Sequence, residues 1–276
     1  MMVPPGRRDF PAGHGVTMCE DCGCSEPLGS RCTPALDHAH AHGHDDTGLS
    51  HNDRLAERNR GFFHAKNVFV VNLLSFSGSG ARKFVQRTVT EYGRHHRIMA
   101  ITGEWLAQIG AVHAHDTHAH DHAHGAAIAD ENLSLDAHTI GHALDHLEDN
   151  LDVILIENGG SAASQAVYDL GETTRVALFS VRDGEFKPLK CPLLFDGRVS
   201  AVVINEMDQA ATTDFNVAKA RAHVAQVAPK AVVMDVAPAT GEGMKAWYAF
   251  LDEGVKQIGK RKQARTAKEH ATGRGE

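Results

Sequence analysis

The chain has 276 residues, an apolar fraction of 42% and a formal charge of −7 at pH 7, enough for one large α/β domain or two small ones. Its acidic balance, with the marked basic cluster confined to residues 256–268, excludes nucleic acid as the main partner. No stretch of about eighteen apolar residues occurs and the opening MMVPPGRRDFPAGHG lacks a signal-peptide core, so a cytoplasmic protein without a membrane partner is expected.

Residues 1–50 are rich in Gly, Pro, His and Asp and follow neither a helical nor a strand period, which predicts a flexible leader with no core of its own. Residues 51–63 read as a short helix, with Asn52 or Asp53 as cap and Leu55, Phe62 and Phe63 as apolar contacts. The run NVFVVNLLS at 67–75 is continuously apolar before a Ser/Gly stretch, the pattern of a buried parallel strand feeding a loop. Phe84, Val85, Thr88 and Val89 place a helix over 81–95, followed by a short strand at 97–101. The tract AVHAHDTHAHDHAHG, 111–125, then interrupts as an exposed loop. A helix resumes over 134–147 with Leu135, Ile140, Ala143, Leu144 and Leu147 on one side. Further strands are predicted at 153–156, 175–181, 201–204 and 231–236, with helices at 165–170, 216–228 and 243–258. Strands alternating with helices at this spacing imply an α/β fold, a parallel sheet with helices on both faces and ligands at the carboxyl ends of its strands. Residues 51–255 would form that domain, and 256–276 a solvated basic tail.

Cysteine and histidine are unevenly placed. Cys19, Cys22, Cys24 and Cys32 fall in the leader and only Cys191 in the globular part, an odd total that argues against a disulfide framework. The segment Met18-Cys19-Glu20-Asp21-Cys22-Gly23-Cys24 puts three thiols within six residues, and thiolate is a soft ligand for nickel or zinc. A redox C-x-x-C would instead be expected at a strand-to-helix junction. Two histidine tracts add imidazoles on Ala or Gly spacers: His38, His40, His42 and His44, then His113, His115, His118, His120, His122 and His124. Neutral imidazole suits nickel, zinc and copper, and several adaptable donors suit storage or buffering; the plain alternative is a solvated spacer.

The first strand runs into Ser75-Phe76-Ser77-Gly78-Ser79-Gly80-Ala81-Arg82, where a phosphate-binding loop would open a helix. Ser77, Gly78, Ser79 and Gly80 are its candidate anion contacts. A working loop ends Gly-Lys-Ser/Thr, the lysine reaching the β- and γ-phosphates and the hydroxyl holding magnesium. Ala81 and Arg82 stand there instead, although Arg82 or Lys83 would restore part of the charge. Asn205-Glu206-Met207-Asp208 follows an apolar strand in the manner of the guanine-reading N-K-x-D element, with Asn205 and Asp208 as candidate nucleotide contacts and Glu206 in the lysine's place. A plain strand-end turn fits those residues equally well, and no catalytic residue is named by the sequence.

Taken in order, these motifs resemble the HypB family of nickel-inserting GTPases in hydrogenase maturation, from residue 18 to about residue 251. Further matches are Asn72-Leu-Leu-Ser75, Leu135-Asp136-Ala137 with Ile140, Ile156-Glu157-Asn158, Asp169-Leu-Gly-Glu172, SVRDGEFKPLKCP at 180–192, and Thr240-Gly-Glu-Gly-Met244. The resemblance implies a P-loop domain, the C-x-x-C-G-C segment as a high-affinity metal site, nickel or zinc as ligands, GTP and magnesium, and a nucleotide-closed homodimer. Its implied partners are a HypA-like zinc protein and the hydrogenase large subunit. The departures fall on functional positions: Ala81-Arg82 for Lys-Thr, Glu206 for the guanine-motif lysine, and Ala237-Pro238 for the Ser-Ala near the base. The family's second metal site, a Cys-His pair and a Cys-Pro, reads Leu133-Ser134 and about Ser164-Gln165, so it is expected to be lost. Family chains begin at the Met before the first Cys, here Met18, which makes 1–17 an expected start-site extension. The reading is therefore a nickel-binding accessory protein with weak or absent GTP and magnesium binding. Its rivals are an active GTPase with an atypical loop and a metal-buffer protein unconnected with hydrogenase.

Overall fold

The computed structural model describes residues 51–111, 135–195 and 197–272. The cysteine segment, both histidine tracts, Leu133 and Ser134 lie outside the described residues.

Helix α1, His51–Lys66, buries Ala56, Asn59 and Phe63, and carries Asp53 in its first turn with His64 and Lys66 in its last, charges matched to the helix dipole. Strand β1, Phe69–Ser75, is buried at every position. Helix α2, Ala81–Tyr92, turns Phe84, Val85, Thr88 and Tyr92 inward and stops at Gly93, shorter than its apolar spacing predicts. Strand β2, Ile98–Ile101, leads into α3, Gly103–Gln108, which no periodicity announced; Thr102 caps it by accepting from the Trp105 N–H at 3.2 Å. Helix α4, Ala137–Ala143, is capped by Asp136, which accepts from the Thr139 N–H at 2.8 Å, and ends in a 3₁₀ turn, Leu144–His146.

Strand β3, Val153–Asn158, and α5, Ala162–Val167, follow, α5 lying three residues earlier than expected because its first turn closes on Ser161. Then come β4, Thr174–Ser180, a 3₁₀ turn at Val181–Asp183, α6, Lys187–Lys190, and a second 3₁₀ turn at Pro192–Phe195. Strand β5, Val199–Asn205, α7, Val217–Val227, β6, Val232–Asp235, and α8, Met244–Thr272, complete the order. The stretch expected as a tail is helix as far as Thr272: beyond residue 258 it holds Lys, Arg, Gln and Ala with no proline to stop it. None of the described helices is long and apolar enough to cross a membrane.

The six strands form one parallel sheet in the order β2-β3-β1-β4-β5-β6, with β1 at the centre, Val71 opposite Leu155 of β3 and Leu73 opposite Val176 of β4. Alternate residues of β1 feed opposite faces. Val71 and Leu73 pack under α2 and α8, where Phe84 meets Trp247 at 5.0 Å between ring centres and the indole N–H donates to Thr88 Oγ1 at 3.0 Å. Val70 and Ile154 pack under α1 and α4, and Leu74, Ala177 and Val202 under the α7 side. Full burial of one such residue contributes about 1.5–3 kcal/mol.

Polar side chains anchor α1. Asn52 Oδ1 accepts from the Ala137 N–H at 2.9 Å, and Asn59 Nδ2 donates to the carbonyls of Ala137 and Leu170. Arg60 pairs with Asp169 at 2.6 Å. Gly171, at φ +87°, lies so close that a Cβ there would stand 2.5 Å from the Ala56 carbonyl oxygen and 2.8 Å from the Arg60 nitrogen, so only glycine lets the helix approach. Glu172 and Arg175 form a buried pair beside it, and Glu172 also accepts from the Leu170 N–H at 2.8 Å.

Candidate functional site

All the strands point their carboxyl ends the same way, so the connections after β1, β3, β4 and β5 converge on one rim. The loop after β1 has Gly78 and Gly80 both at φ +75°, and the Gly80 carbonyl accepts the Phe84 N–H at 3.2 Å as α2 begins. Gly80 is fixed by crowding: a Cβ would lie 2.9 Å from Asn205 Nδ2 and 2.9 Å from the Glu206 carboxylate. Asn205 Nδ2 donates to the Ser79 carbonyl at 2.8 Å and ties the loop to the end of β5. Ser79 Oγ and Asn205 Oδ1 are buried with no hydrogen-bond partner.

A carboxylate and a guanidinium face each other on this rim. Glu206 is only 5% exposed and holds a left-handed backbone, φ 58° and ψ 37°, which costs a non-glycine residue about 1–2 kcal/mol. Arg182, from the turn after β4, grips its carboxylate with a fork: Nε to Oε2 at 2.9 Å and Nη2 to Oε1 at 2.9 Å. The same Nη2 donates to the Gly78 carbonyl at 3.0 Å. A side chain from the turn after β4, a carboxylate from the residue after β5 and the main chain after β1 are thus joined in one latch across the loop.

Side chains beneath the latch hold the loop's base. Gln165 accepts from the Ser75 N–H at 3.0 Å, donates back to the Ser75 carbonyl at 2.9 Å, and also reaches the Gly160 carbonyl. The Lys187 ammonium, 1% exposed, lies 4.1 Å from the Phe76 ring centre and 3.8 Å from Asp183. Ser180 and Asp183 form a capping box, with the Ser180 N–H donating to Asp183 at 2.7 Å. Burial pushes the Asp183 carboxyl above its ordinary value, against the pull of the Ser180 N–H and of Lys187.

Of the residues singled out from the sequence, Ser77, Gly78, Ser79, Gly80 and Asn205 do meet at one loop. Arg82 does not add its charge there: its guanidinium is engaged by Glu104 of α3 at 3.1 Å, with both side chains more than half exposed. Asp208 is exposed in the turn after β5. Gln165, read as the vacated position of a metal ligand, is a buried bracket for the loop instead. Arg182 and Lys187 were not recognised; the lysine-to-glutamate exchange at Glu206 was the available signal, since a buried carboxylate demands a cation within reach. Cys19, Cys22, Cys24 and the ten tract histidines lie outside the described residues. Among the described residues, no group of three or more His, Cys, Asp or Glu side chains is placed to hold a metal ion.

No protein-family model matches the chain. It is 36% identical to the hydrogenase maturation factor HypB of Azotobacter vinelandii over 222 residues, 79% of this chain and 70% of that protein. To the HypB of Escherichia coli (strain K12) it is 33% identical over 209 residues, 74% of this chain and 69% of that one. The crystal structure of HypB from Archaeoglobus fulgidus matches with a TM-score of 0.60 at 29% identity, covering 73% of this chain and 97% of that one. HypB from Helicobacter pylori in complex with nickel matches with a TM-score of 0.61 at 23% identity over 75% and 96% of the two chains, a likeness of fold. With relatives at 36% and 33% identity, each matched over more than two thirds of its length, the chain belongs to the HypB family of hydrogenase maturation factors.

Proposed function

We propose that this chain is a cytoplasmic nickel-handling maturation factor, with zinc as an alternative ion, whose nucleotide switch is weak or lost. Membership of the HypB family supports the maturation role, and the donor set supports the ion: three thiols at Cys19, Cys22 and Cys24, and imidazoles in two tracts. Thiolate and neutral imidazole are formed by proton loss, so capture of a divalent ion releases protons and weakens in acid. Residues 1–50 would serve as the metal-binding leader, 111–125 as a second histidine-rich donor loop, and 51–255 as the scaffold. A HypA-like protein, the hydrogenase large subunit and a second copy are the partners this role calls for.

The latch is the observation that carries the nucleotide half of the proposal. The residues present do not fit a magnesium nucleotide. Ala81 brings no ammonium to the phosphates, Arg82 brings no hydroxyl for magnesium, and the Glu206 carboxylate sits against Gly80 where a phosphate would need positive surroundings. Arg182 is a cation in contact with the loop, and its fork is held by Glu206. A second reading, a still-active GTPase, is favoured by Asp208, left exposed at the guanine-reading position, and by the unpartnered Ser79 Oγ and Asn205 Oδ1.

Calorimetric titration separates the readings. Dialysed full-length protein should take up nickel, a Cys19→Ala/Cys22→Ala/Cys24→Ala variant should take up less, and GTP should give no saturable magnesium-dependent heat with either. Nickel and zinc uptake no greater than by an unrelated control protein would overturn the metal role. Sustained magnesium-dependent GTP hydrolysis would overturn the lost switch and leave the metal role standing.

A further inference from the structure

Helix α4 carries two histidines four residues apart, the spacing that stacks side chains on one helical face. His138 and His142 are both exposed, while Ala137, Ile140 and Ala143 on the opposite side are buried against β3 and α1. The platform is fixed: Asp136 caps the first turn, Asn52 Oδ1 takes the Ala137 N–H at 2.9 Å, and Asn59 Nδ2 donates to the Ala137 carbonyl at 2.8 Å. On this platform the rings face edge to face, planes 86° apart and centres 4.5 Å apart, with Nε2 of His142 3.2 Å from Nε2 of His138.

That separation is the telling number. Two imidazole nitrogens at about 2.0–2.1 Å from one ion stand roughly 3.3 Å apart at a tetrahedral angle, and about 2.9 Å apart at a right angle. The observed 3.2 Å lies between the two, so the pair is already spaced as a chelate. Without metal the contact needs one ring to donate an Nε2–H to the lone pair of the other. An ion that takes both Nε2 lone pairs displaces that proton from between the rings, to another ring nitrogen or to water.

We infer that His138 and His142 form a two-imidazole site for one divalent transition ion, nickel or zinc, completed by water and built from residues other than those of the cysteine segment, the histidine tracts and the nucleotide loop. Two histidines at this spacing on one helical face are a known geometry for holding zinc. The inference stands on the α4 geometry alone and does not depend on the donors invoked above.

The test is diethylpyrocarbonate footprinting of the full-length protein, mapped by peptide mass spectrometry, with nickel(II) alone or zinc(II) alone as the probe. At an ion concentration ten times the half-saturating one, modification of His138 and of His142 should each slow about ten-fold, and with the same midpoint. In His138→Asn the protection of His142 should disappear, and in His142→Asn that of His138, while the far-ultraviolet spectrum reports an unchanged fold. Protection by either ion supports the site. Protection by neither, or protection of one ring that persists when the other is replaced, overturns it. The same map reads the tract histidines, so failure of the tracts and failure of this pair are recorded separately.

Discussion

The anchor of α1 and the latch of the phosphate loop lie on the same sheet and are built from the same kinds of side chain, yet they carry opposite relations to the family. At the anchor, the matched stretches Leu135-Asp136-Ala137 and Asp169-Leu-Gly-Glu172 supply the residues that hold the fold: Asp136 caps, Gly171 admits the helix, and Glu172 neutralises Arg175. At the latch, the position where the family resemblance implies a lysine holds Glu206, which is answered by Arg182. The lesson is that scaffold and ligand chemistry are separable demands. Under the proposed function, this chain keeps the first while an internal ion pair occupies the ground of the second.

The comparison predicts large stability effects at the anchor and small ones at the latch. Glu172→Ala leaves Arg175 charged and enclosed, and should lower the unfolding free energy by about 3–5 kcal/mol in urea titrations. Gly171→Ala forces a side chain into a left-handed position against α1; a loss of about 1–3 kcal/mol is expected, with amide exchange accelerated in α1 before the sheet. If either variant unfolds at the wild-type urea midpoint, the anchor is not what holds α1.

Acid should divide the two regions. The Asp169 carboxyl lies below its ordinary value: burial works to raise it, but the Gly171 N–H and Arg60 outweigh that. Its contribution is therefore complete above the unfolded value of about 3.9 and is lost as pH falls through the lower folded value. Asp183, raised by burial, has the opposite sign: its contribution is complete below the unfolded value and is lost as pH rises through the folded one. Hydrogen exchange between pH 5 and pH 3 should show α1 loosening while the turn after β4 does not.

At the latch, Glu206→Gln keeps the shape and removes the charge. A loss of only about 1 kcal/mol is expected, since the Arg182 side chain is half exposed. GTP affinity should rise most when this change is combined with Ala81→Lys and Arg82→Thr, measured with and without magnesium. If those two loop changes alone restore full affinity, the latch is not the obstacle. Smallest of all, Arg82→Ala should shift stability by less than about 0.5 kcal/mol, because its pair with Glu104 is open to solvent.

Much of this architecture was legible in one dimension. The apolar runs that became β1 and β5 stand out because parallel strands are covered on both faces, and the glycines after β1 mark its loop. The extent of α8 was not legible, since basic residues serve a solvated coil and a helix equally well. Nor was the latch, which joins residues 24 apart through the ends of two different strands. The paired histidines of α4 were visible as an i, i+4 spacing inside a predicted helix, but apolar positions alone were weighed there.

The far part of α8 has one further consequence. Ile258 is its last buried side chain among the described ones; the residues from 259 to 264 are all exposed, and of these Arg261 and Lys262 still border a groove shared with Phe63 and Asn67. At 1.5 Å per residue, the turns from Ile258 to Thr272 reach about 20 Å along the helix axis. Lys260, Arg261 and Lys262 give this spar positive charge on a molecule that is negative overall. In dilute salt an acidic surface would draw the protein in spar first, and raising the ionic strength would erase that bias in approach.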